Sequence, residues 1–171
     1  GAGEVALRIR TLAAEHGAVN LGQGFPDFDC DPALIAAVHA AMLGGFNQYP
    51  PMAGALPLRQ AIADKIRTLY GADYDADENI TVTAGATQAI LTAVLCCVRP
   101  GDEVIVIEPI YDSYLPAIAL AGGTPVSVPM TLGDDGYAIP WEKVAAAITP
   151  KTRLLILNSP HNPTGTVLSA D

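Results

Sequence analysis

An α/β fold, a mostly parallel sheet covered by helices, is what the sequence predicts, and three observations carry it. Short runs of apolar and β-branched residues at 80–83, 103–108, 124–128 and 153–157 alternate with helical patterns. One run, EVIVIE at 103–108, is a short apolar strand closed by Pro109, of the kind a parallel, helix-covered sheet uses. Three of the runs lead into polar, turn-rich clusters, AGATQ, PIYDSY and NSPHNPTG. Open α/β sheets collect their ligands at such places, beyond the carboxyl ends of the strands.

The elements follow in order. Val5, Ile9, Leu12 and Ala13 lie at helical spacing, and this amphipathic helix ends near His16-Gly17. His16, in the last turn, suits the terminal carbonyls, a structural role. The stretch AVNLGQGFPDFDCDP cannot continue a helix through Gly22, Gly24 and Pro26. It contains G-x-G without the third glycine, and without strand before and helix after, so it is not a dinucleotide fingerprint. Asp31 and Pro32 open the next helix as cap and first-turn residue, and Gly44-Gly45 follows its end near Leu43. His39 reads as a surface or packing residue of that helix. In the loop FNQYPPMAG, the Tyr49 hydroxyl has the reach for a phosphate or a partner chain, and ordinary loop packing explains it equally well. A helix from about Ala55 to Tyr70 places Leu58, Ile62, Ile66 and Leu69 on one face and Arg59, Asp64, Lys65 and Arg67 toward solvent, with Gly71 as its stop.

An acidic connection then leads into ITVTAGATQAILTAVL, Ile80 to Leu95, which reads as strand, tight turn and helix. Gly85 permits close backbone approach, and the free N–H groups of a helix start attract an anion. With the Thr87 hydroxyl and the Gln88 amide as further donors, the turn is a candidate phosphate seat; an ordinary strand-to-helix connection has the same look. The helix itself is apolar on all sides and is expected to be buried, with Cys96 and Cys97 as small interior residues. The strand at 103–108, a helix from about Ser113 to Ala121, a strand at 124–128, a short strand pair near Tyr137, a helix from Trp141 to Ile148 and a strand at 153–157 complete the chain. Beyond two of the strand ends, Tyr111 offers an aromatic face to a flat ligand, and Asn158 and Asn162 offer neutral amides in a loop stiffened by Pro160 and Pro163.

Composition narrows the function. The 171 residues suit one domain or part of a larger one. Eighteen acidic residues against 9 basic ones give a net charge of -9, which argues against nucleic acid as a partner. The 3 cysteines form neither a disulfide framework nor a zinc pattern, so no metal is expected. No signal-peptide core or membrane-length apolar run is present, which makes the cytoplasm the default location. The chain begins without Met and stops at Ser169-Ala170-Asp171, where a helix could start, and so reads as cut from a longer one.

NSPHNPTG, with GATQA and EPIYDSY upstream and NLGQGFPDF near the start, resembles the amino-terminal part of a class I/II aminotransferase, in particular the methionine and kynurenine (glutamine-type) branch. The resemblance runs from about Arg8 to Asp171 with four motifs in the family's order. It implies the fold type I architecture and pyridoxal 5'-phosphate (PLP) as cofactor. On that likeness, residues 1–46 are the N-terminal helix, arm and part of the small domain, and residues 47–171 the first part of the PLP-binding large domain. It further implies that Ala86, Thr87 and Gln88 hold the cofactor phosphate, that Tyr111 stacks on the pyridine ring, and that Asn162, with Asn158 beside it, lies near the ring hydroxyl and the substrate carboxylate. Gly24 would line the substrate site, with Phe25 as a pocket wall. Tyr49 would reach the neighbouring subunit's cofactor in a homodimer, and His161 would be loop packing.

The same resemblance implies a catalytic lysine in a Ser-x-x-Lys motif beyond the asparagine loop. The lysines present, Lys65, Lys143 and Lys151, have no serine three residues before them and read as solvated charges, so no catalytic residue is assigned here. Arg99 and Arg153 do not match the family's carboxylate-binding arginine. The expected function of the whole protein is transfer of an amino group from a methionine-, glutamine-, kynurenine- or aromatic-type amino acid to a 2-oxo acid, with the 171-residue chain alone inactive. A PLP-dependent carbon–sulfur β-lyase and a non-catalytic fragment are the alternatives.

Overall fold

The computed structural model describes residues 2–22, 24 and 26–169. Along the chain these form α1 (Ala2–His16), α2 (Pro32–Leu43), α3 (Leu56–Tyr70), α4 (Gly85–Cys97), β1 (Glu103–Glu108), α5 (Tyr114–Leu120), β2 (Thr124–Pro129), β3 (Thr131–Gly133), β4 (Gly136–Ala138), α6 (Trp141–Ala146) and β5 (Thr152–Ile156). The expected α/β fold is present: β2, β1 and β5 form a parallel sheet in that order, with β3 and β4 as a separate antiparallel pair containing Tyr137.

β1 is the centre. Val104, Ile105, Val106 and Ile107 are all buried, and their alternation feeds two cores. Val104 and Val106 meet Val94 of α4, Val98 just after it, and Ala117 and Ile118 of α5. On the other face, Ile105 and Ile107 meet Val128, Met130 and Val144. Each such side chain contributes about 1.5–3 kcal/mol on leaving water. Local chemistry sets the helix ends: the Ala33 N–H donates to Asp31 Oδ1 at 2.7 Å before α2, and Gly71 stops α3 at φ 66°.

Four expectations need correction. Residues 80–83 form no strand. A strand needs a neighbour that exchanges bonds along a ladder, whereas the main-chain bonds here are from the Val82 N–H to the Ala53 carbonyl, 2.9 Å, and a local one from the Gly85 N–H to the Thr83 carbonyl, 2.8 Å. The helix α4 is not buried all round. Val94 is its one fully buried residue; Leu95 is 45% exposed, because β1 and α5 cover a single stripe. Cys96 and Cys97, outside that stripe, are exposed. Finally, Arg59 turns inward, 6% exposed, while Leu58 and Leu69 remain at the surface. Acceptors on neighbouring loops draw the guanidinium in, which a helical wheel does not register.

The arginines at the far end of α4 act as caps. Arg99 Nη1 donates to the carbonyls of Leu95 and Val98 at 2.9 and 3.0 Å, and Arg153 Nε to that of Cys97 at 3.0 Å. Among the described residues, no helix is long and apolar enough to cross a membrane, and no group of acidic, His or Cys side chains is placed to hold a metal ion.

Candidate functional site

The strands β1 and β5 are parallel neighbours, so the loops that follow them leave the same edge of the sheet. The Thr87 Oγ1 near the start of α4 stands 3.3 Å from the Tyr111 hydroxyl beyond β1, within hydrogen-bonding distance. The helix start and the aromatic loop, two of the three clusters read from the sequence, thus lie side by side.

At the helix start, Gly85 has φ 78°, a conformation that a side chain would strain. The Gly85 N–H is used by the Thr83 carbonyl, 2.8 Å away, and the Ala84 N–H by Gln88 Oε1 at 2.5 Å. Ala86 and Thr87 come next. Neither N–H meets a main-chain acceptor among the described residues, and both residues are exposed, which leaves two donors and a hydroxyl at the positive end of a thirteen-residue helix. Gln88 thus has a different first task from the one expected: its amide oxygen caps the turn, leaving its NH2 group as the part that could meet an anion.

Tyr111 is half-buried and braced edge-on by Tyr114, the centroids 5.6 Å apart and the planes at 84°. Tyr114 was not singled out in the sequence; its place three residues along, at the start of α5, is the signal that could have found it. Burial pushes the Tyr114 phenol above its ordinary value, and the neighbouring Tyr111 adds to the rise. The nearby Ser113 Oγ is buried without a hydrogen-bond partner.

In the loop after β5, Asn158 Oδ1 accepts the Asn162 N–H at 2.7 Å. Asn158 therefore shapes the loop, while the exposed Asn162 carboxamide is free to meet a ligand. His161 is buried. Its Nδ1 lies 2.9 Å from Thr164 Oγ1, while its N–H and carbonyl bond to the Thr166 carbonyl and the Gly165 N–H. Loop packing, the role expected of it, accounts for all of these contacts.

The remaining candidates are not joined to this cluster. Tyr49 is wholly exposed beside a groove also lined by Phe46, Pro50 and Pro51. Gly24 is exposed with open space where a Cβ would stand, and Phe25 lies outside the described residues. Lys65, Lys143 and Lys151 are all exposed. The donor set is nonetheless chemically coherent: unpaired N–H groups suit an anion, a braced ring suits a flat heterocycle and a neutral amide suits its oxygen substituents. These residues fit a phosphorylated aromatic cofactor.

Residues 16–171 match the model of the family described as aminotransferase class I and II. The chain belongs to that family. It is 52% identical over 166 residues to a probable N-succinyldiaminopimelate aminotransferase of Mycobacterium tuberculosis, covering 97% of this chain and 42% of that protein. It is 49% identical to the methionine aminotransferase of Escherichia coli, covering 94% and 41%, and 40% identical to human kynurenine--oxoglutarate transaminase 1, covering 94% and 40%. The solved structure of the Mycobacterium tuberculosis N-succinyldiaminopimelate aminotransferase superposes with a TM-score of 0.92 at 52% identity, over 97% of this chain and 43% of that one. The chain thus spans about two fifths of the length of these relatives.

Proposed function

We propose that the whole protein is a PLP-dependent aminotransferase that moves an amino group from an amino acid to a 2-oxo acid, and that this chain supplies the phosphate and ring-face half of its site. The observation that carries this reading is the 3.3 Å approach of Thr87 Oγ1 to the Tyr111 hydroxyl, which sets unpaired helix N–H groups beside a braced aromatic ring. PLP, when bound, supplies the electron sink for chemistry at the amino acid α-carbon.

The chain's own residues bind and orient. The Ala86 and Thr87 N–H groups and the Thr87 hydroxyl hold the phosphate, with the Gln88 NH2 as a further donor. Tyr111 lies against the ring, held in place by Tyr114. Asn162 serves the ring hydroxyl and the substrate carboxylate, and Asn158 keeps its loop in shape. Gly24 and Phe25 line the substrate side. The exposure of Tyr49 suits a role in a neighbouring subunit of a homodimer. Residues 1–46 act as arm and part of the small domain, and 47–171 as the first part of the large one. The lysine that joins covalently to the cofactor is none of Lys65, Lys143 and Lys151, so the isolated chain is inactive. The protein works in the cytoplasm.

The donor belongs to the methionine, glutamine, kynurenine or aromatic class, and the Mycobacterium tuberculosis relative adds N-succinyldiaminopimelate to the amines worth trying. Product analysis of the full chain tests this. A new amino acid formed from an added 2-oxo acid supports transfer; pyruvate and ammonia from a cysteine conjugate, without transfer, would replace it with β-lyase action. Absence of PLP binding would leave the non-catalytic reading.

A further inference from the structure

Among the described residues the fold buries one guanidinium, that of Arg59. Its Nε donates to the Gly54 carbonyl at 3.0 Å, and its Nη1 donates to the Ala76 carbonyl and to Asp77 Oδ1, the latter at 2.9 Å. The Asp77 side chain is 71% exposed, so the ion pair is screened and contributes little to stability on its own. What the burial of Arg59 achieves is geometric: one rigid fork ties α3 to two loops, around residue 54 and around residues 76–77.

The first of these loops supports the path into α4. Gly54 is buried at φ 102°, and a Cβ there would stand 2.6 Å from Val82 Cγ2. The preceding residue, Ala53, accepts the Val82 N–H at 2.9 Å. Val82 therefore rests on the loop that Arg59 holds. Gly85 then turns the chain into α4, and the unpaired N–H groups of Ala86 and Thr87 follow.

We propose that Arg59 is a positioning residue for the anion seat: by clamping Gly54 and the 76–77 loop it fixes Val82, and with it the direction of the Ala86 and Thr87 N–H groups. The assignment rests on the cofactor-phosphate reading above. Its effect falls mainly on the phosphate, because the path from Arg59 ends at the helix start, which meets Tyr111 through the Thr87 hydroxyl, while the Tyr111 ring is braced separately by Tyr114.

The test compares the affinities of PLP and of pyridoxal, which lacks the phosphate, in the full chain and in Arg59→Lys, Arg59→Met and Asp77→Ala variants. In Arg59→Lys, loss of a fork that bonds a charged donor to main chain is expected to weaken PLP about tenfold while pyridoxal changes by less than about threefold. Asp77→Ala, which alters an exposed side chain, shifts the same ratio less and in the same direction. A parallel loss for both ligands, or no change in either, overturns the proposal.

A second measurement does not depend on the cofactor. Amide exchange at residues 82–88 without PLP should speed up in the Arg59 variants and not in Lys65→Ala, an exposed change on the same helix. Unchanged exchange at 82–88 overturns the proposal even if PLP binds normally. A full chain that does not bind PLP overturns the cofactor reading instead, and exchange alone then decides the role of Arg59. If the Arg59 variants do not fold, Asp77→Ala decides by the same two readouts, and an unchanged ratio with unchanged exchange counts against the clamp.

Discussion

Strand β1 and helix α4 are both apolar through their centres, yet the fold buries the strand on both faces and the helix along one stripe. The residues 104–107 are all within 4% of complete burial, whereas Leu95, Cys96 and Cys97 on α4 are exposed. The strand finds its cover on all sides: β2 and β5 at its edges, α4 and α5 on one face, and Val128, Met130 and Val144 of α6 on the other. The helix has α5 and the sheet on one side only. Apolarity says that a surface gains by being covered; it does not say which part of a protein supplies the cover. The two ends of α4 differ for a related reason. Its carbonyl end is closed by Arg99 and Arg153, and its N–H end is left open beside Tyr111.

Substitutions can break this comparison. Ile105→Ala is expected to cost about 2–5 kcal/mol in urea unfolding, the usual range for truncating a buried aliphatic side chain. Leu95→Ala, on the open face of α4, should cost less than about 1 kcal/mol. Equal losses would mean that the outer face of α4 is covered in solution.

The open end of α4 is sharpened by Tyr111. Tyr111→Ala removes the ring and is expected to weaken PLP binding to the full chain about tenfold or more, as loss of a stacked aromatic does. Tyr111→Phe keeps the ring and loses the Thr87 contact, and should weaken binding only severalfold, on the order of one hydrogen bond. Cofactor dissociation followed by absorbance separates the two. An equal effect of both variants would place the role of Tyr111 in its hydroxyl.

A smaller effect comes from Tyr114. Its phenol titrates above the ordinary value in the folded chain, chiefly through burial, so the protonated form is the one the fold prefers. Stability from this source is fully present below the unfolded value, about pH 10, and is lost as pH rises through the folded value. Urea midpoints should fall in that alkaline range, and Tyr114→Phe should flatten the fall. Smallest of all is Arg67→Ala. The exposed pairs of Arg67 with Asp64 and Asp73 are screened, so the change should be slight and should vanish in high salt.

Much of this organisation is legible in the sequence. EVIVIE appears as β1 at the expected residues, and Asp31-Pro32 caps α2 as its chemistry requires. These features depend on neighbours a few residues away. Residues 80–83 show the limit. Their β-branched pattern matches a strand, but a ladder needs a partner that no local pattern specifies. Arg59 shows it again, since the acceptors that draw it inward come from separate loops. At the site, the sequence and the family likeness set Thr87 and Tyr111 on one ligand, but the direct approach of their hydroxyls was not legible, because it depends on how α4 lies across β1. The bracing by Tyr114 and the use of Gln88 Oε1 as a cap belong to the same class of tertiary detail.

As proposed, this chain supplies the phosphate and ring-face half of a PLP site whose covalent lysine is not among its own three. The most direct test is borohydride reduction of the full chain with PLP bound, followed by intact mass and peptide mapping. One reduced cofactor per chain is expected, on a peptide that contains none of Lys65, Lys143 and Lys151. A stoichiometric adduct on one of those three, with activity lost when that lysine alone is replaced, would contradict it.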